Sequence, residues 1–268
     1  MVTGFRYASR AMVGAREGQE DSCRFASLTP AGGGTVSLER RAAKRVDTLL
    51  AVLADGMGGH VGGAEASTLA CDSFVEAYET EVGTERSRLA GALDTSNRAI
   101  AGALRRDRAL KGMGCTLIGA VFKGEGLSWV SVGDSPLLLF RDDKLYQLNE
   151  DHSLAPLLDQ LAANGEMTLA EAEADPRRHF LRAALTGDSI EMVDLSTSAL
   201  GLREGDLVLL ASDGLEVLSH AEMADLLAAR AGDEPEALVG SLLAAVEAKA
   251  APNQDNVTVM VVKPVFEG

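Results

Sequence analysis

The stretch that most constrains this chain is Leu49-Leu50-Ala51-Val52-Leu53-Ala54-Asp55-Gly56-Met57-Gly58-Gly59-His60. An unbroken apolar run that stops at glycines predicts a buried strand, and this one delivers Asp55 to the strand's end. Glycine has no Cβ, so the backbone can turn sharply there and leave the Gly56 carbonyl open to a ligand. A single Asp-Gly is more simply a turn or a helix cap, but this one has company. Leu207-Val208-Leu209-Leu210-Ala211-Ser212 runs into Asp213-Gly214 in the same way, and Asp255-Asn256 stands before the β-branched run that starts at Val257. Near the N-terminus Arg16 is followed four residues on by Glu20 and Asp21. A fold that gathers these strand ends gathers carboxylates and one arginine.

Composition bounds the partners. With 268 residues and no linker or internal repeat, a single domain over 1–268 is expected. The 25 Lys+Arg against 40 Asp+Glu give a formal charge of −15, which argues against nucleic acid and acidic membranes as partners. Cys23, Cys71 and Cys115 are odd in number and form no Cys-x-x-Cys pair, so neither a disulfide framework nor a zinc site is indicated. No apolar run approaches the ~20 residues that span a bilayer, and no basic segment leads into an apolar stretch at the N-terminus. A cytoplasmic monomer is the expectation.

Strands are predicted over 5–13, 23–28 and 49–54, with 29–47 as a solvated loop or hairpin turn carrying Arg40, Arg41, Lys44 and Arg45. Ala66, Leu69, Ala70, Phe74 and Tyr78 recur at helical spacing, as do Leu89, Leu93, Ile100 and Leu104. Neither stripe carries ligand-type side chains, so both helices should pack on a core. His60, at the mouth of the first, reads as a histidine bonded to nearby backbone. Runs over 115–122, 127–132, 137–140 and 145–148, joined by short turns, predict a four-stranded antiparallel meander. Helices over 154–163, 169–174, 221–230 and 235–250, and strands over 192–195, 207–212 and 257–262, complete an α+β pattern.

In order and local context, Arg16, Glu20, Asp21, Asp55-Gly56, Asp213-Gly214 and Asp255-Asn256 resemble the metal-dependent protein phosphatases of type 2C, in their bacterial form. Asp-Gly-Met-Gly-Gly-His at 55–60 and Val132-Gly133-Asp134-Ser135 strengthen the resemblance, which covers nearly the whole chain. Asp151-His152-Ser153 and Arg182-Ala183-Ala184-Leu185-Thr186-Gly187 resemble further elements of that family. The resemblance implies two stacked antiparallel β-sheets flanked by helices on both sides, an α-β-β-α sandwich with the metal cluster at one edge. It makes 153–180 a mobile flap beside the site. It implies hydrolysis of phosphoserine and phosphothreonine in protein substrates of a serine/threonine kinase, with two Mg²⁺ or Mn²⁺ ions activating a water. Carboxylates and a carbonyl, without thiolates or a histidine cluster, suit those hard cations over zinc or copper. By the same resemblance Arg16 holds the substrate phosphate, Glu20 and Asp21 help to hold metal, and Asp55 bridges the two ions. Gly56 offers its carbonyl, Asp213 and Asp255 complete the first ion's shell, and Asp134 with Asp213 holds a weak third ion.

Two positions depart from the pattern. Met57 stands where some relatives carry a histidine thought to protonate the leaving oxygen, and Pro136 stands where arginine is usual after Gly-Asp-Ser. These departures are the support for a second reading, a phosphoprotein-binding regulatory module with the same fold and little turnover. A nucleotide-binding protein is set aside, because Val61 occupies the third glycine position of the dinucleotide fingerprint and no Gly-Lys-Ser/Thr is present.

Overall fold

The computed structural model describes residues 1–27, 34–37, 48–58 and 60–267. Strand β1 (Val2–Met12) leads through the Arg16 loop into β2 (Ser22–Ser27), onto which β3 (Gly34–Ser37) pairs. Strand β4 (Thr48–Ala54) ends at Asp55, and the two-residue β5 (Gly56–Met57) passes the chain to α1 (His60–Thr80) and α2 (Glu85–Arg106). Thr84 caps α2 by accepting from the Ser87 N–H. Then come β6 (Gly114–Cys115), paired with β5, and two hairpins: β7 (Leu117–Lys123) with β8 (Gly126–Val132), and β9 (Leu137–Arg141) with β10 (Lys144–Gln147). Asp142 and Asp143 both take positive φ, 52° and 58°, in the two-residue turn of the second hairpin. Helices α3 (Ala155–Ala163) and α4 (Leu169–Ala174) precede the short strands β11 (Asp194–Leu195) and β12 (Leu200–Gly201). Strand β13 (Leu207–Ala211), a 3₁₀ turn (Asp213–Val217), α5 (His220–Ala229), α6 (Pro235–Lys249) and β14 (Val257–Phe266) finish the chain.

The strands form two antiparallel sheets. One has the order β1-β14-β13-β9-β10; the other has the order β11-β8-β7-β4-β2-β3, with β12 also on β8. Side chains alternate along each strand, and both faces are covered. From β4, Leu49, Ala51 and Leu53 enter the core between the sheets, where they meet Phe5, Phe122, Val208, Leu210 and Met260. Leu50, Val52 and Ala54 point the other way, onto Ala66, Ala70, Phe74, Leu89 and Ile100 of α1 and α2. On the far side Leu207, Leu209 and Ala211 meet Leu227, Leu238 and Leu242 of α5 and α6. Burial on both faces is why β4 and β13 read as unbroken apolar runs, and the result is the α-β-β-α sandwich expected.

The meander and some strand bounds differ from expectation. The meander does not form, because β8 and β9 never pair: β9 joins β13 in the other sheet, with Leu207 opposite Phe140. The chain crosses between sheets at Gly133-Asp134-Ser135-Pro136, and a proline that cannot donate to a ladder suits such a crossing. Within 29–47, Gly34–Ser37 pairs antiparallel with β2, which is the hairpin alternative for that stretch. The basic cluster at Arg40, Arg41, Lys44 and Arg45, like the His60 side chain, lies outside the described residues. The 192–195 strand is shorter than expected, and the 257–262 strand runs on to Phe266.

Antiparallel register brings one set of strand ends to one edge. Ser22 pairs with Ala54, Leu117 with Val132, Met12 with Val257 and Ala211 with Val259. Asp21, Asp55, Asp134, Asp213, Asp255 and the Arg16 loop each adjoin one of these ends.

Helix α1 fits its sheet so closely that a Cβ on Gly119 of β7 would fall 2.2 Å from the Phe74 ring. Gly119→Ala should therefore cost about 1–3 kcal/mol through overpacking and lower the melting temperature by several degrees. An unchanged thermal unfolding curve would show that the Phe74 ring has room to move.

Candidate metal and phosphate site

At this edge a cavity of about 290 Å³ is lined by Arg16, Glu20, Asp55, Gly56, Asp134, Asp213 and Asp255, with Met57, Thr116, His179 and Leu181 at its walls. All the sequence-predicted site residues thus come together except Asp21, which lies buried behind the lining with 3% of its surface exposed. Asp134 does face the cavity, so Pro136 has not turned it away.

Small polar groups fix Asp55, Asp21, Glu20 and the Asp134 crossing through backbone or side chain. The Asp55 N–H donates to Thr116 Oγ1 at 3.0 Å, and the Thr116 N–H donates to the Asp55 carbonyl at 2.9 Å. The same Thr116 hydroxyl lies 2.8 Å from Ser135 Oγ, which ties Asp55 to the Asp134 crossing. Buried Asn149 steadies that crossing by accepting from the Leu137 N–H and donating to the Ser135 carbonyl. Ser212 Oγ donates to Asp21 Oδ2 at 2.8 Å and accepts from the Thr258 N–H, so β2, β13 and β14 meet on one hydroxyl. Buried Asn256 accepts from the Glu20 N–H at 2.7 Å and donates to the carbonyls of Val13 and Gly18, holding the Arg16–Glu20 loop against β14. Thr116, Ser212 and Asn149 carry no signal of such a role in the sequence, and Asn256 enters it only as the neighbour of Asp255.

Gly56 matters for close approach. A Cβ there would sit 2.2 Å from the Gly63 carbonyl and 2.5 Å from that of Glu20, and a Cβ on Gly63 would sit 2.0 Å from Glu20 Oε2. The two glycines let the first turns of α1 close against the Glu20 carboxylate. Arg16 forms an ion pair with Asp255, not with Glu20.

Burial, with the charges of Asp21 and Asp213 beside it, raises the Asp55 carboxyl well above the ordinary range. Asp213 is raised by burial and by Asp255. Burial pushes Asp21 up to about 6, with the Asp213 charge adding to it, and Asp134 up to about 8, with Asp213 and Asp151 adding. Two buried oxygens, Asp21 Oδ1 and Asp213 Oδ1, have no hydrogen-bond partner. Clustered anions with unpartnered buried oxygens fit a divalent cation, which supplies the missing charge and takes oxygen ligands. Among the described residues no three His, Cys, Asp or Glu are placed to ligate one ion by themselves, so protein side chains alone do not make a full ligand shell. Mg²⁺ and Mn²⁺ are held by one or two carboxylates each, with water filling the rest of the shell.

The edge of this α-β-β-α sandwich thus carries clustered carboxylates that suit a hard cation, with an arginine at the rim. The sequence matches the protein phosphatase 2C family over residues 40–258, and the chain belongs to that family. It is 37% identical over 167 residues to the serine/threonine protein phosphatase PstP of Mycobacterium tuberculosis, a match covering 62% of this chain and 31% of that protein. The chain therefore spans about a third of that relative's length. It is 33% identical over 226 residues to the protein phosphatase PhpP of Streptococcus pneumoniae, covering 81% and 87% of the two chains. The structure of the PstP catalytic domain in complex with 2 manganese ions superposes with a TM-score of 0.72 at 31% identity, covering 98% of this chain and 99% of that one.

The raised carboxyls give a pH signature. Between the ordinary aspartate value of 3.8 and about 8 the folded state binds more protons than the unfolded chain, so metal-free stability falls as pH rises through that window. In EDTA the melting temperature should drop from about pH 5 to about pH 8, and Mn²⁺ should raise it more at the upper end, where fewer protons compete. A flat or rising metal-free profile would show that these carboxyls do not hold the protons.

Proposed function

We propose that the chain is a metal-dependent protein serine/threonine phosphatase that hydrolyses phosphoserine and phosphothreonine in proteins modified by a serine/threonine kinase. The observation that carries this reading is the single cavity that holds five carboxylates, two buried oxygens without partners behind or within it, and one arginine at its mouth.

Asp55, central among the acidic groups, would bridge two Mg²⁺ or Mn²⁺ ions, with Glu20, Asp21, the Gly56 carbonyl, Asp213 and Asp255 completing their shells. Such ions supply Lewis acidity toward water and toward the phosphoryl oxygens. Arg16 orients the phosphate through its forked N–H groups, which requires it to exchange its Asp255 partner for phosphoryl oxygens. Asp255 is thereby freed to face a cation, so substrate and metal together satisfy both members of the present ion pair. Asp134, beside Asp213, would hold a weak third ion.

The whole of 1–268 is taken as one phosphatase domain that works as a monomer in the cytoplasm. Among the described residues, no helix is long and apolar enough to cross a membrane. Residues 153–180 are taken as its flap. Their support is a closed stem: the Leu154 N–H donates to the Phe180 carbonyl, the Arg182 N–H to the His152 carbonyl, and Ser153 bridges Leu181. The regulatory-module reading has no support beyond Met57 and Pro136.

Hydrolysis of p-nitrophenyl phosphate and of a phosphothreonine peptide, in Mn²⁺ and in EDTA, tests the reading. Turnover should need metal and vanish in Asp55→Asn with the fold retained, since a neutral amide caps a turn about as well but cannot balance two cations. Arg16→Ala should cost about ten- to hundredfold in kcat/KM, mainly through KM, with partial rescue by lysine. Metal-independent turnover, or an Asp55→Asn variant near wild type, would rule out the assignment.

A third ion shared through Asp213 gains little and keeps most of its water, so it should bind in the millimolar range. Activity against Mn²⁺ concentration should lose its upper phase in Asp134→Ala. A curve that overlays the wild type throughout would leave Asp134 without a functional ion.

A further inference from the structure

His179, Met57 and Leu181 line the carboxylate cavity and also an open groove of about 600 Å³ beyond it, which runs past Phe180 and Arg182. The three side chains form a threshold between the two hollows. On the phosphatase reading above, on which this inference rests, a phosphate held among Arg16 and the carboxylates leaves its own polypeptide in the groove. The bond to be broken, from phosphorus to the seryl or threonyl oxygen, then spans the threshold.

An aliphatic alkoxide leaves poorly unless it takes up a proton as the bond breaks. Of the threshold side chains, the Met57 thioether and the Leu181 alkyl group have no proton to give. His179 has one. It lies on the exposed segment after α4, and its ring makes no hydrogen bond or ion pair with another described residue. It is near enough to Asp213 for its charge to offset part of the upward shift of that carboxyl.

We propose that His179 is the proton donor to the leaving serine or threonine oxygen, the role that Met57 cannot fill. Water oxygen bonds to phosphorus, the electron pair of the P–O bond passes to the side-chain oxygen, and that oxygen takes the imidazolium proton. The proton released by the attacking water recharges the imidazole through solvent. The products are the free hydroxyl side chain and inorganic phosphate, with nothing oxidised or reduced.

The test compares wild type, His179→Gln and His179→Ala at saturating Mn²⁺ on two substrates. One is a phosphothreonine peptide, whose alkoxide needs a proton; the other is p-nitrophenyl phosphate, whose phenolate leaves without one. Mn²⁺ binding to the same proteins is measured by calorimetry. In both variants kcat on the peptide should fall about a hundredfold while kcat on p-nitrophenyl phosphate stays within about threefold and Mn²⁺ affinity is unchanged. Equal losses on both substrates, no loss on the peptide, or weakened Mn²⁺ binding would each overturn the role. A wild type that hydrolyses neither substrate would instead overturn the phosphatase reading beneath it.

Discussion

The structure turns on the mutual repulsion of carboxylates that the fold packs at one edge of its sandwich. Asp21 is almost wholly buried; burial raises the carboxyls of Asp21, Asp55, Asp134 and Asp213, and neighbouring carboxylate charges add to it, Asp21 and Asp213 on Asp55, Asp213 on Asp134 and Asp255 on Asp213. Buried like charges are tolerated only with protons or countercharge. Cations and phosphate are the natural relief, and a cation near phosphate is what phosphoryl transfer requires. The same repulsion that weakens the metal-free fold therefore supplies affinity for the metal.

Holding anions in place against that repulsion needs a scaffold that does not itself carry charge. Neutral hydrogen bonds do this: Thr116 to the Asp55 backbone, Ser212 to the Asp21 carboxylate, and Asn256 to the loop of Arg16 and Glu20. Each links two or three strand ends, so the register of both sheets is transmitted to the site. The packing of Leu49, Ala51 and Leu53 on one face of β4 and of Leu50, Val52 and Ala54 on the other then fixes Asp55 from below.

The segment between Ser153 and Leu181 adds the outer wall. Its stem is tied to the Asp134 crossing through His152, whose Nδ1 accepts from the Gly133 N–H and whose own N–H donates to the Gly133 carbonyl. Its internal Arg178–Asp159 pair joins its C-terminal strand of chain to α3. This outer segment and the loop that carries Asp134 are thus tied together at His152 and Gly133, with His179 and Phe180 at the segment's far end.

The sequence by itself determined the kinds of element and the acidic residues, while the stacking of two sheets between helices came from the family resemblance. Runs buried on both faces have to be central strands, stripes at helical spacing have to cover them, and Asp-Gly at the end of such a run has few other uses once it recurs. What only the tertiary structure decided is non-local. Short turns suggested that the hairpins of β7-β8 and β9-β10 form one meander, but local signals do not say to which sheet a strand belongs; Leu207 opposite Phe140 settles it across more than sixty residues of chain. Arg16 had a nearer acidic neighbour in sequence and pairs instead with Asp255, which the β1-β14 ladder brings beside it. Likewise Thr116, Ser212 and Asn149 are ordinary residues in the chain. Their importance comes from the strand ends and cavity walls that folding places around them.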